Sequence, residues 1–143
     1  MLSIDRPVVL VGAGGAGTAI AFALAAAGVG ELHIVNREAE RAEQLCAELR
    51  KAYPGIDADT RAGSLGRAGL AINATSLGLQ AGDPMPFDPA QLPADAALFD
   101  IIAARDTELM AACTARGLRV VGGKPMIDHQ VAAQIAFWRG GAA

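Results

Sequence analysis

Gly12, Gly14 and Gly17 stand at the spacing GxGxxG, between the apolar run Val8 to Val11 and an alanine-rich stretch that starts at Ala16. A strand that turns through such glycines into a helix suits a pyrophosphate. The first glycine permits the tight turn, the second lets the backbone approach the phosphates, and the third lets the helix pack close to the strand. Amides at the helix start have no acceptor within the helix and face the phosphate charge. The competing reading is a glycine-rich turn that binds nothing.

A second position tests the first. In a dinucleotide site an acidic residue about 20 positions on accepts the adenosine ribose hydroxyls and selects NAD. Here that place falls to neutral Asn36, with Arg37 directly after it and Arg41 one helical turn later. Two guanidinium groups at this spacing suit bidentate contact with a 2'-phosphate, which favours NADP over NAD, though NAD remains open. The plainer alternative is that both arginines are solvated and pair with Glu38 and Glu40, and Glu38 itself repels a phosphate.

The elements around these residues follow from apolar patterning. Val8 to Val11, Leu32 to Val35, Ile56 to Thr60, Leu70 to Asn73, Leu98 to Ile102 and Leu118 to Val121 read as strands, the third a short edge strand. Ala16 to Ala27, Glu38 to Ala52, Asp106 to Arg116 and Met126 to Trp138 read as helices; in the second, Ala42, Leu45 and Leu49 share one face. The alternation predicts one α/β domain over residues 1–143, a doubly wound, Rossmann-like parallel sheet of about six strands in the order 3-2-1-4-5-6, with helices on both faces. The stretch from Leu77 to Pro93, with four prolines and two glycines, is the one long loop.

Composition narrows the function classes. Twelve basic residues against 15 acidic give a net charge of -3, which leaves no basic field for nucleic acid or an anionic membrane. Pro7 to Gly30 is 24 residues without a charge, long enough to span a bilayer, but its six glycines suit a buried strand, turn and helix better. Cys46 and Cys113 are 67 positions apart with no CxxC or His at ligand spacing, so no metal site or disulfide framework is indicated, and a cytoplasmic setting is expected. His33 and His129 read as structural, since no carboxylate, serine or cysteine partner is evident for either.

A resemblance extends over nearly the whole chain. Gly12-Ala13-Gly14-Gly15-Ala16, Asn36-Arg37, Asn73-Ala74-Thr75-Ser76 with Gly78, Asp100, and Gly123-Lys124-Pro125-Met126 leading to His129-Gln130 and Phe137-Trp138 match in order and spacing. The chain thereby resembles the C-terminal, nucleotide-binding half of shikimate dehydrogenases. The resemblance implies that Gly12, Ala13, Gly14, Gly15 and Ala16 hold the pyrophosphate and that Asn36, Arg37 and Arg41 hold the adenosine ribose phosphate. It further implies that Thr75, Ser76, Ile101, Gly123 and Met126 line the approach to the nicotinamide, and that Gln130 bonds a substrate hydroxyl.

The resemblance also implies reversible hydride transfer between NADP(H) and a ring ketone or alcohol such as 3-dehydroshikimate or shikimate, within aromatic amino acid biosynthesis. The family's N-terminal domain, which binds the substrate and carries the catalytic lysine and aspartate, has no counterpart here. Lys51 and Lys124 are the only lysines, and neither matches the catalytic position. After Asp100 the chain reads Ile101-Ile102-Ala103-Ala104-Arg105, where the family usually has a tyrosine and a proline, so shikimate as the particular substrate is not implied by that segment. The expectation is a nucleotide-binding half that is inactive alone and pairs with a missing domain or a second copy of itself. The rival is a free-standing NAD(P)-binding module without catalysis.

Overall fold

The computed structural model describes residues 5–102 and 106–122. Six strands form one sheet: β1 (Val8–Val11), β2 (Glu31–Val35), β3 (Asp57–Asp59), β4 (Leu70–Asn73), β5 (Ala97–Asp100) and β6 (Arg119–Gly122). Their order is β3-β2-β1-β4-β5-β6, all neighbours parallel, as the alternation predicts. Between β1 and β4 the direction of winding reverses. That reversal opens a crevice beyond the carboxyl ends of the strands, where α/β sheets take their ligands.

Strands β1, β4 and β5 are buried throughout, which is why they read as continuous apolar runs without alternation. On one face α1 (Gly15–Ala26) and α2 (Ala39–Ala52) pack Ile20, Leu24, Leu45 and Leu49 against Leu10, Leu32, Ile34 and Ile72. On the other, α3 (Glu108–Ala115) and two short 3-10 turns, Ser64–Arg67 and Pro89–Gln91, bring Leu65, Leu92 and Leu109 against Val9, Val11, Ala71 and Leu98. The uncharged Pro7 to Gly30 stretch is therefore β1, a glycine turn and a 12-residue helix. No helix among the described residues is long and apolar enough to cross a membrane.

The boundaries differ from expectation at a few ends. The fifth strand stops at Asp100 rather than Ile102, because the Asp100 side chain takes the Ile102 amide and turns the chain away. The third helix begins at Glu108 because Thr107 caps it, its hydroxyl accepting from the Met110 amide at 3.1 Å. The expected helix Met126 to Trp138 lies outside the described residues.

Candidate functional site

The glycine turn is built by steric need. Gly12 has φ +114, donates its amide to the Val35 carbonyl at 2.8 Å, and lies so near the next turn that a Cβ there would sit 2.9 Å from the Ala74 carbonyl group. At Gly17 a Cβ would fall 2.2 Å from the Gly12 oxygen, so only glycine lets α1 start this close to β1. Gly14 and Gly15 are the reverse case: a Cβ at either meets nothing within 4 Å. Their freedom serves open space beside the first turn of α1, where the amides have no intrahelical acceptor. Ala13 is buried, whereas Gly15 and Ala16 are exposed at the helix start.

Asn36 ties this turn to the next one. Its Oδ1 accepts from the Ala13 amide at 3.1 Å and its Nδ2 donates to the Glu38 carbonyl at 3.1 Å. Arg37 and Arg41 are exposed on either side of Glu38, the residue before α2. Among the described residues neither guanidinium forms an ion pair with a carboxylate, so the alternative pairing with Glu38 or Glu40 is not made. Arg41 instead shares a shallow groove with Gly14, Gly15, Thr18 and Gln44. A second groove of about 280 Å3 opens past the end of β2, between Asn36 and Ala39 on one side and Thr60, Arg61 and Gly63 on the other.

Across the crevice a buried polar network shapes the end of β4. Asn73 Oδ1 accepts from both the amide and the hydroxyl of Thr75, at 3.0 and 2.6 Å, while its Nδ2 donates to the Leu77 carbonyl and to Asp100 Oδ1, each at 3.2 Å. Thr75 Oγ1 accepts in turn from the Leu77 amide. Asp100 also accepts from the Ile102 amide at 3.0 Å and the Thr107 hydroxyl at 2.8 Å. Burial pushes the Asp100 carboxyl above its usual value, and the three bonds from Ile102, Thr107 and Asn73 pull the other way. No buried side-chain polar atom among the described residues lacks a partner. Thr75 is half-buried, Ser76 exposed and Ile101 half-buried, its amide donating to the Asn73 carbonyl at 3.1 Å.

The carboxyl ends of β1, β2, β4 and β5 thus gather Gly12 to Ala16, Asn36, Arg37, Thr75 and Ser76, and Ile101 at one end of the sheet. Gly123, Met126 and Gln130 lie outside the described residues. Sequence reasoning gave Asp100 a place in the family pattern but no role, and it missed Thr107 and Arg61. Asp100 and Thr107 hold the Asn73 turn, and the sequence signal was a polar side chain ending an otherwise apolar strand. Arg61 lines the second groove, and finding it required knowing where β3 ends.

His33 requires a correction. It is fully buried, and it has the carboxylate partners that its sequence neighbourhood did not reveal: Nδ1 lies 2.5 Å from Asp59 and Nε2 2.7 Å from Glu31. The β2–β3 register pairs His33 with Asp59, and Glu31 stands two residues away on the same face of β2. Among the described residues no cluster of His, Cys, Asp or Glu is arranged to hold a metal.

A doubly wound sheet with a glycine turn at its reversal point defines the Rossmann-like class of α/β domain. Residues 3–112 match the family model for shikimate / quinate 5-dehydrogenase, and the chain belongs to that family. It is 37% identical over 137 residues to shikimate dehydrogenase (NADP(+)) of Afipia carboxidovorans, an alignment covering 95% of this chain and 50% of the relative. The corresponding protein of Methylocella silvestris is 40% identical over 137 residues, covering 95% and 49%. Among solved structures, quinate dehydrogenase from Corynebacterium glutamicum in complex with NAD superposes with a TM-score of 0.77 at 31% identity, over 94% of this chain and 50% of that one. Shikimate 5-dehydrogenase from Thermus thermophilus, in complex with NADP(H) and shikimate, gives 0.72 at 32% identity, over 97% and 51%. The chain spans about half the length of the curated relatives it matches.

Proposed function

We propose that these 143 residues hold NADP as the nucleotide-binding half of a shikimate-dehydrogenase-like oxidoreductase. The observation that carries this reading is the pairing of open space at Gly14 and Gly15, beside an uncapped helix start, with two arginines that no carboxylate neutralises among the described residues. The relatives' names and the bound NADP(H) of the Thermus thermophilus structure support the same cofactor. NAD, present in the Corynebacterium glutamicum complex, is the weaker alternative because no acidic side chain stands at Asn36.

In this reading the amides of Gly14, Gly15 and Ala16 face the pyrophosphate, Arg37 and Arg41 take the 2'-phosphate, and Asn36 keeps the two turns in register. The bound nucleotide supplies a hydride acceptor or donor. Thr75 has both hydroxyl roles spent on Asn73 and Leu77, so it shapes the nicotinamide side by position and not by a free donor. Ile101 adds an apolar wall there. The ring alcohol or ketone, and the lysine and aspartate that move its proton, belong to a further domain or a partner, as the family resemblance implies.

Calorimetric titration of the chain with NADP and NAD tests this directly. Preference for NADP is expected, and Arg37→Ala should remove roughly 1.5 to 3 kcal/mol of NADP binding, the scale of a charged hydrogen bond, with NAD nearly unchanged. Equal losses for both nucleotides would make Arg37 structural.

A further inference from the structure

Asp100 is the one fully buried carboxylate among the described residues, on the last rung of β5, where the register pairs it with Asn73 of β4. Its three hydrogen-bond partners among those residues all offer a proton: the Ile102 amide and the Asn73 side-chain amide to Oδ1, and the Thr107 hydroxyl to Oδ2. Thr107 takes the Met110 amide on its own oxygen, which leaves its hydrogen for the carboxylate. A shell made of donors suits the ionised form. These donors are neutral, and among the described residues no arginine, lysine or histidine pairs with Asp100. Its bonding is satisfied while its charge is left uncompensated. The field reaches beyond that shell: burial pushes the Cys113 thiol of α3 up, Arg116 pulls it down, and the Asp100 charge adds to the rise.

Charge is therefore set unevenly along the crevice. Past β2, Arg37 and Arg41 make one end positive. Past β4 and β5, Asp100 stands one hydrogen bond from Asn73, whose Oδ1 holds the Thr75 turn, and one residue before Ile101. Thr75, Ser76 and Ile101 form the nicotinamide side in the reading above, so the negative charge lies at that end. A nicotinamide ring is cationic when oxidised and neutral once it has accepted a hydride. A fixed negative charge in a wall of low dielectric attracts the first form and is nearly indifferent to the second.

We infer that the buried Asp100 carboxylate tunes the redox balance of the bound cofactor: it favours oxidised NADP over NADPH and so lowers the reduction potential of the bound pair. Asp100 does this through its charge and touches no reacting atom. The inference rests on the nucleotide reading above.

Calorimetric titration of the wild-type chain and its variants with oxidised NADP and with NADPH, at about pH 8 where the carboxylate keeps its charge, tests this through the ratio of the two dissociation constants. A wild type that binds neither form would overturn the nucleotide reading and this inference with it. If the wild type binds, Asp100→Asn is expected to shift the ratio about 3- to 10-fold toward NADPH, the scale of one unit charge acting through a partly solvated crevice. Asp100→Ser, neutral but smaller and bonded differently, should shift it in the same direction, so either variant suffices if the other fails to fold. Thr107→Val removes a bond to the carboxylate and leaves the charge, and it should keep the wild-type ratio. Equal losses of both forms in the Asp100 variants, or no loss of either, would make Asp100 a support for the Asn73 turn alone and overturn the inference while the nucleotide reading stands. A shift in Thr107→Val as large as that in Asp100→Asn would trace the ratio to the shape of the turn and overturn it equally.

Discussion

Asp100 and Thr107 show how much one pair of polar side chains can organise. Thr107 donates to Asp100 Oδ2 and accepts from the Met110 amide, so the same hydroxyl caps α3 and satisfies a buried carboxylate. Thr107→Val keeps the shape and removes both bonds. A lost cap and an unsatisfied buried oxygen together should lower stability by about 2 to 3 kcal/mol, measurable by urea denaturation. Thr107→Ser should keep most of it. Asp100→Asn is milder: Oδ1 still accepts from Ile102 and Asn73, and the new amide finds the Thr107 oxygen as acceptor, so its cost should be below that of Thr107→Val. If Asp100→Asn proves the worse of the two, the charge itself and not the bonding pattern holds the turn at Asn73.

At the level of elements, the glycines separate structure from binding. A methyl at position 17 would sit 2.2 Å from the Gly12 oxygen, a backbone atom with no side chain to swing aside, so Gly17→Ala should cost about 3 kcal/mol or prevent folding. At Gly14 the same methyl enters open space, so Gly14→Ala should leave the thermal midpoint nearly unchanged and weaken the nucleotide; equal thermal losses for both would mean that the turn has one role, not two. The turn itself was legible in sequence because GxGxxG lay between an apolar run and a helix, and β1 and β4 were placed to the residue because strands buried on both faces have no polar interruptions. The strand order was legible for a similar reason, since alternating strands and helices allow few topologies. Legibility ended where a contact depended on register. That His33 meets Asp59, 26 positions away, follows from which rung of β3 pairs with which rung of β2, and a three-residue edge strand carries too little pattern to fix that. Arg61 escaped notice with it, since its place in the groove is set by the same edge.

For the molecule as a whole, the charged edge and the buried network respond to acid in opposite senses. Burial pushes the Glu31 and Asp59 carboxyls up, but His33 with Arg67 in the first case, and the Arg61 amide with His33 in the second, outweigh it and hold both below their usual values. The unfolded chain therefore binds these protons more readily than the folded one. Their contribution is fully present above the ordinary carboxylate range, about pH 4, and is lost as the pH falls through the lower folded values. Asp100 runs the other way, since burial raises its carboxyl and protonation there favours the folded state. Glu31 and Asp59 outnumber Asp100, and exposed Asp95, held low by its hydrogen bond from Arg6, acts in the same sense as the edge, so the thermal midpoint should fall between about pH 5 and pH 3, with β3 and its cluster as the first part to loosen. Glu31→Gln and Asp59→Asn should each lower the midpoint at neutral pH and flatten its acid limb, because one proton-linked group has been removed from the balance. Scanning calorimetry of the wild type and both variants across that range decides it: an unchanged acid slope in both variants would place the proton-sensitive groups elsewhere in the chain.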